Sequence, residues 1–111
     1  MRVTSSLWVG AYVRRCFAQG AMATVARRGA EEAGAIFVIV DRLNGIADLY
    51  VPAPQATFDE SRPSERIFQL VVAGQPLAEV DARLEREVRF DSDLWVVAVE
   101  DRDGRAFLDT V

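Results

Sequence analysis

The sequence predicts an α+β domain: a single antiparallel sheet of about five or six strands with two helices. Three observations carry that expectation. Three β-branched runs, Ala35–Leu43, Arg66–Ala73 and Asp93–Glu100, are apolar on both alternating faces, as strands buried on two sides are. Two other segments space their apolar residues three and four apart, which is the helical period. Turn signals at Asn44-Gly45 and at the run DRDG, Asp101–Gly104, let neighbouring strands fold back on one another. A length of 111 residues suits one domain covering 1–111.

The first helix starts near Leu7, with Ser5 or Ser6 as its N-cap. Trp8, Tyr12 and Cys16 form one row and Val9, Val13 and Phe17 the next, so the two rows make a continuous apolar face. Arg14 and Arg15 point away from it, and Gly20 ends the helix. Ala23–Arg28 reads as a short strand, and a polar connection leads into Ala35–Leu43. Asn44 and Gly45 can both take positive φ, which makes Ile46–Val51 a returning strand of a two-residue hairpin.

Pro52 and Pro54 stop that strand, and Pro52–Ser64 has no periodicity. Loops of this length in compact domains often carry function. Pro52, Pro54 and Phe58 are its candidate contact residues, with the Phe58 ring as an anchor. Gly74 breaks the strand Arg66–Ala73, and Pro76 takes the first helical position of a second helix. Leu77, Val80, Leu84 and Val88 form its apolar stripe. Glu79 with Arg83 and Glu85 with Arg89 stand in the favourable i,i+4 order, each pair worth about 0.3–0.5 kcal/mol. After Asp93–Glu100, DRDG turns the chain into a last strand, Arg105–Leu108.

Three two-faced strands raise a question of coverage. Either the helices lie on opposite faces of the sheet, or one face stays partly open and meets another copy of the protein as a homodimer.

Composition excludes several chemistries. All 13 basic residues are arginine, histidine and lysine are absent, and there is one cysteine. Ser-His-Asp and Cys-His triads, a P-loop lysine, Schiff-base lysines and the usual zinc cages therefore lack their parts. No internal disulfide can form. No catalytic residue, metal ligand or cofactor is assigned.

Cys16 shares its row with Trp8 and Tyr12, so it reads as a buried, inert thiol. Glu31-Glu32, Asp59-Glu60, Asp91 with Asp93, and Asp101 with Asp103 sit in turns, where acids are solvated and cap backbone amides. DRDG lacks the further ligands of a calcium loop.

Charge is uneven along the chain. Residues 1–30 hold five arginines and no acid, while the remainder sets eight arginines against 17 acids. Arg14, Arg15, Arg27 and Arg28 are therefore candidate anion or partner contacts, although neighbours on a strand face opposite ways. The N-terminal apolar run is short for a signal peptide and ends at Arg14-Arg15. It is assigned to the core instead, and no run reaches the length of a membrane span.

The stretches LWVGAYVRR, RRGAEEAGAIFV, DLYVPAPQ and DLWVVAVEDRDGRAFL together resemble a family of short alphaproteobacterial proteins, domain-of-unknown-function family 1491. The likeness spans nearly the whole chain. It implies a bacterial cytoplasmic setting and carries over no activity, catalytic residue or cofactor.

The expected function is a non-catalytic binding module. Its partner is another protein or a second copy, met through the open sheet face or the loop Pro52–Ser64. The alternative is a nucleotide or nucleic-acid binder using the N-terminal arginines, with Trp8 or Tyr12 as a stacking surface; the negative net charge of −4 disfavours nucleic acid. No membrane partner is expected.

Overall fold

A computed structural model describes residues 3–54 and 66–111. Helix α1 spans Ser5–Ala18. Its cap is Thr4, whose hydroxyl oxygen accepts the Leu7 N–H at 3.2 Å, rather than either serine. Ser5 is engaged elsewhere: its buried hydroxyl donates to the Gly34 carbonyl at 2.6 Å. Val9, Tyr12 and Cys16 are buried, and Trp8 stacks on Tyr12 with ring centroids 4.9 Å apart. Phe17, expected on the same face, is 49% exposed. It follows Cys16 by 100° around the helix, which carries its ring beyond the contact with the sheet.

The strands are β1 (Met22–Arg27), β2 (Ile36–Asp41), β3 (Ile46–Pro52), β4 (Phe68–Pro76) and β5 (Trp95–Glu100), and helix α2 (Leu77–Phe90) lies between β4 and β5. They form one five-stranded sheet in the order β1-β5-β2-β3-β4. The sheet is mixed, which corrects the antiparallel expectation. β2 and β5 run parallel, from Ile36 beside Trp95 to Asp41 beside Glu100, while the other three pairs are antiparallel. The cause is α2, which carries the chain back across the sheet from β4 to β5. Such a crossover returns a strand in the same direction, as a hairpin cannot.

The expected strand Arg105–Leu108 is absent, and the described residues form five strands. Residues 101–111 form an irregular tail that, among the described residues, joins the sheet through a bridge between Thr110 and Phe68. Side chains take its carbonyls instead: the Tyr12 hydroxyl donates to Ala106 O at 2.5 Å and Arg15 to Phe107 O at 3.1 Å.

Two turn readings also change. Positive φ falls on Leu43 (64°) and Gly45 (90°), not on Asn44. The hairpin closes with Arg42 N–H on Ile46 O at 3.1 Å, so its loop has three residues. Side chains hold it in that form: Asp41 accepts the Leu43 N–H at 2.8 Å and Asn44 the Ile46 N–H at 3.3 Å.

Gly74 does not end β4. With φ of 62° it forms a bulge, and its N–H donates to Asp48 Oδ1 at 2.7 Å. The same buried carboxylate takes two bonds from Arg42, each 2.9 Å. Three donors thus offset the desolvation of Asp48 and fix the β3–β4 register where it shifts.

Pro76 caps α2 without entering it, and Val80 and Leu84 are its buried residues. Arg83 pairs with Glu87 at 3.8 Å in place of the expected Glu79–Arg83 and Glu85–Arg89 pairs. Pro52 closes β3 opposite Phe68, and Pro54 is exposed. Phe58 and the rest of the expected interaction loop from residue 55 to 64 lie outside the described residues.

The helices occupy opposite faces, as the first of the two arrangements left open by the sequence has it, and the α2 face nevertheless stays partly uncovered by the described residues. On the α1 side, Ile36, Val38, Val40, Trp95, Val97 and Val99 pack with Val9, Tyr12 and Cys16, and Ala106–Leu108 of the tail join them. On the α2 side, Ile39, Ala47, Leu49, Leu94 and Val96 pack with Val80 and Leu84. The connection before β2 presses so close on the start of β5 that a Cβ at Gly29 or Gly34 would stand 2.1 or 2.3 Å from Asp93 O. Only glycine fits there.

Candidate functional site

Helix α2 packs against β3 and β4, so on its side of the sheet the described residues leave the β5–β1 half open. A groove of about 770 Å³ results. Alternation along the strands builds its floor: Ile39 of β2, Val96 and Ala98 of β5, and Ala26 of β1. The wall is the flank of α2 presented by Leu77, Leu84 and Val88, with Asp81 and Glu85 above them.

Charge divides the groove lengthwise. Asp41 and Glu100 are register partners at the ends of the parallel strands, and Asp81, from the first turns of α2, joins them at that end. Arg89 and Arg27 stand at the other end, where α2 finishes and β5 begins. Arg27 reaches over Ser92, donating to its carbonyl at 2.9 Å, while its Nε is buried without a partner.

The four candidate arginines do not form one patch. Arg27 lines the groove on the α2 side. Arg28 lies on the α1 side, its guanidinium 4.9 Å from the centre of the Trp95 ring. Arg15 is tied to the tail and lies 6.0 Å from the Tyr12 ring, and Arg14 is exposed on the outer side of α1. Tyr12 is 0% exposed, which removes it as a stacking platform. Trp8 is half-buried, with one ring face on Tyr12 and Phe68 nearby.

Cys16 is fully buried, and burial pushes its thiol pKa up, away from the thiolate that nucleophilic work needs. Burial likewise raises the Tyr12 phenol. Among the turn acids, Asp101 is held below the usual carboxylate range by its hydrogen bonds from Arg105, the shortest 2.7 Å. That pair closes the tail turn. Among the described residues no three His, Cys, Asp or Glu side chains come together as a metal site.

The groove was not among the sequence candidates. Its signal was present, because the runs AIFVIVD and LWVVAVE each end in an acid at the same phase as Ile39, Val96 and Ala98. That signal acquires meaning only once β2 and β5 are neighbours.

The fold and its site define a class: a small α+β domain with helices on both faces of a mixed sheet and an open groove beside the second helix. The chain belongs to the family described as "Protein of unknown function (DUF1491)", whose model matches residues 3–109, as the resemblance implied. A crystal structure of a family member from Caulobacter crescentus is similar at 40% identity with a TM-score of 0.80, covering 100% of this chain and 99% of that one. The solution structure of protein Atu0922 from A. tumefaciens is similar at 46% identity with a TM-score of 0.84, covering 100% of this chain and 96% of that one. No curated protein matches the chain.

Proposed function

We propose that this chain is a non-catalytic binding domain whose groove beside α2 holds a segment of another protein. The bound segment is apolar along its length and cationic at the end that meets Asp41, Asp81 and Glu100. The observation that carries this reading is the make-up of the groove, an apolar floor with acids at one end and arginines at the other.

Covering such a floor gains roughly 25 cal/mol per Å² of apolar area. The charges select the partner and its direction more than they add affinity. Binding is favoured over catalysis because the chain has no histidine or lysine, and arginine does not exchange protons at ordinary pH. We read the setting as the bacterial cytoplasm, with the bacterial source of the relatives as support. No helix among the described residues is long and apolar enough to cross a membrane.

The test is titration of the labelled protein with short leucine-rich peptides carrying arginines at one end, followed through backbone amide shifts. Perturbations should gather at Ile39, Leu84, Val96 and Ala98 and vanish in Ala98→Arg. Perturbations that fall elsewhere, or survive that substitution, would remove the reading.

A further inference from the structure

We infer that β1 is the contact through which two copies of this chain associate, pairing antiparallel about Thr24 so that the two sheets become continuous. This rests on the sheet edge and not on the occupant of the groove.

Among the described residues β1 is paired on one side only, by β5. An unpaired edge is a template for another strand, and proteins usually guard it with charge, proline or a covering segment. The opposite edge is guarded in that way: the tail bridges Phe68 through Thr110, Val111 N–H bonds Phe68 O at 3.0 Å, and β4 carries the Gly74 bulge and ends in Pro76. Residues 22–26 of β1, MATVA, carry neither charge nor proline. The bulge between Val25 and Arg27 confines the available ladder to that stretch.

Exposure along β1 points the same way. Met22 is 55% exposed and Val25 38%. They lie on opposite faces, because Met22 stands beside Glu100 on the groove side and Val25 beside Val97 on the α1 side. A ligand lying on one face would cover one of them, whereas a strand added at the edge covers both.

Self-pairing suits this strand better than pairing with an arbitrary one. With Thr24 on the two-fold axis, Met22 meets Ala26 of the second copy and Ala23 meets its Val25, so each large side chain faces a small one on the same face. Thr24 meets itself, a favourable cross-strand pair. Beyond Ala26, Arg27 of the second copy arrives on the groove side next to Met22. Glu100 is one strand further on, and at about 4.8 Å per strand two long side chains can span that distance. Opposite charges meet at both ends of the contact once Arg27 exchanges its bond to the Ser92 carbonyl for Glu100 of the second copy, and the two grooves open onto one shared floor.

Light scattering on the eluting protein should give twice the 12.3 kDa chain mass. Thr24→Lys places two ammonium groups on the axis and should weaken association at least about tenfold, with circular dichroism confirming an unchanged fold. Thr24→Cys should oxidise to an interchain disulfide, since antiparallel partners lie about 4.5–5.5 Å apart at Cα and the native cysteine is buried. A mass of one chain at concentrations up to about 1 mM would overturn the inference. So would a dimer that Thr24→Lys leaves intact.

Discussion

The two faces of the sheet are covered by helices of equal length, yet among the described residues one face is closed and the other is not. Each helix has 14 residues, about 21 Å long and 10 Å wide. Five strands at about 4.8 Å each form a sheet roughly twice as wide as one helix. Closing a face therefore takes a second element. On the α1 side the tail supplies it, laying Ala106, Phe107 and Leu108 beside the helix. On the α2 side nothing described does, and the uncovered width is the groove. An open region can thus arise from simple geometry while both helices are well packed.

That contrast can be tested by substitutions graded in size. Tyr12→Ala removes the centre of the closed face together with its bond to the tail, and should cost about 3 kcal/mol by chemical denaturation. A change within error would mean that the face is not closed as described. Leu84→Ala, beside the groove, leaves a site that solvent already borders, and about 2 kcal/mol is expected by the same measurement. Tyr12→Phe keeps the ring and drops only the hydroxyl bond to Ala106, a loss of about 1 kcal/mol.

Acid tests the tail turn from another side. The Asp101 carboxyl is held down in the folded state by Arg105, so its contribution is present above the unfolded value of about 3.9 and is lost as pH falls through the folded value. Asp101→Asn should flatten that part of the stability profile below about pH 4. An unchanged profile would show that the turn does not depend on this charge.

Smallest of all, Ala98→Leu on the groove floor should stay within about 0.5 kcal/mol, because open space lies above it. A cost of a few kcal/mol, as overpacking brings in a filled core, would show that the groove is closed in solution.

Much of the closed face could be read residue by residue. The i,i+4 row of Trp8, Tyr12 and Cys16 led directly to a packed helix with a buried thiol, because helical spacing alone sets which side chains share a face. Phe17 was misplaced because periodicity gives direction around a helix and not the width of the surface it meets. The β2–β3 hairpin was legible and its loop geometry was not, since Asp41 and Asn44 side-chain bonds selected a three-residue form. Gly74 looked like a stop because its bulge depends on Asp48, a residue 26 positions away.

The open face was hardly legible. Val96, Ala98, Ile39, Asp41 and Glu100 become one surface only when β5 inserts between β1 and β2. That insertion depends on where α2 lands, and no local pattern encodes the landing point.

What the sequence by itself determined are properties of single segments: which runs are strands, which faces of the helices are apolar, and which reactive groups the chain lacks. These follow from local periodicity and side-chain chemistry. The tertiary structure alone decided that β2 and β5 run parallel, that the tail closes one face, and that α2 sits to one side of the other. Each is a choice among long-range contacts, where the winning arrangement is the one that buries most apolar surface across the whole chain.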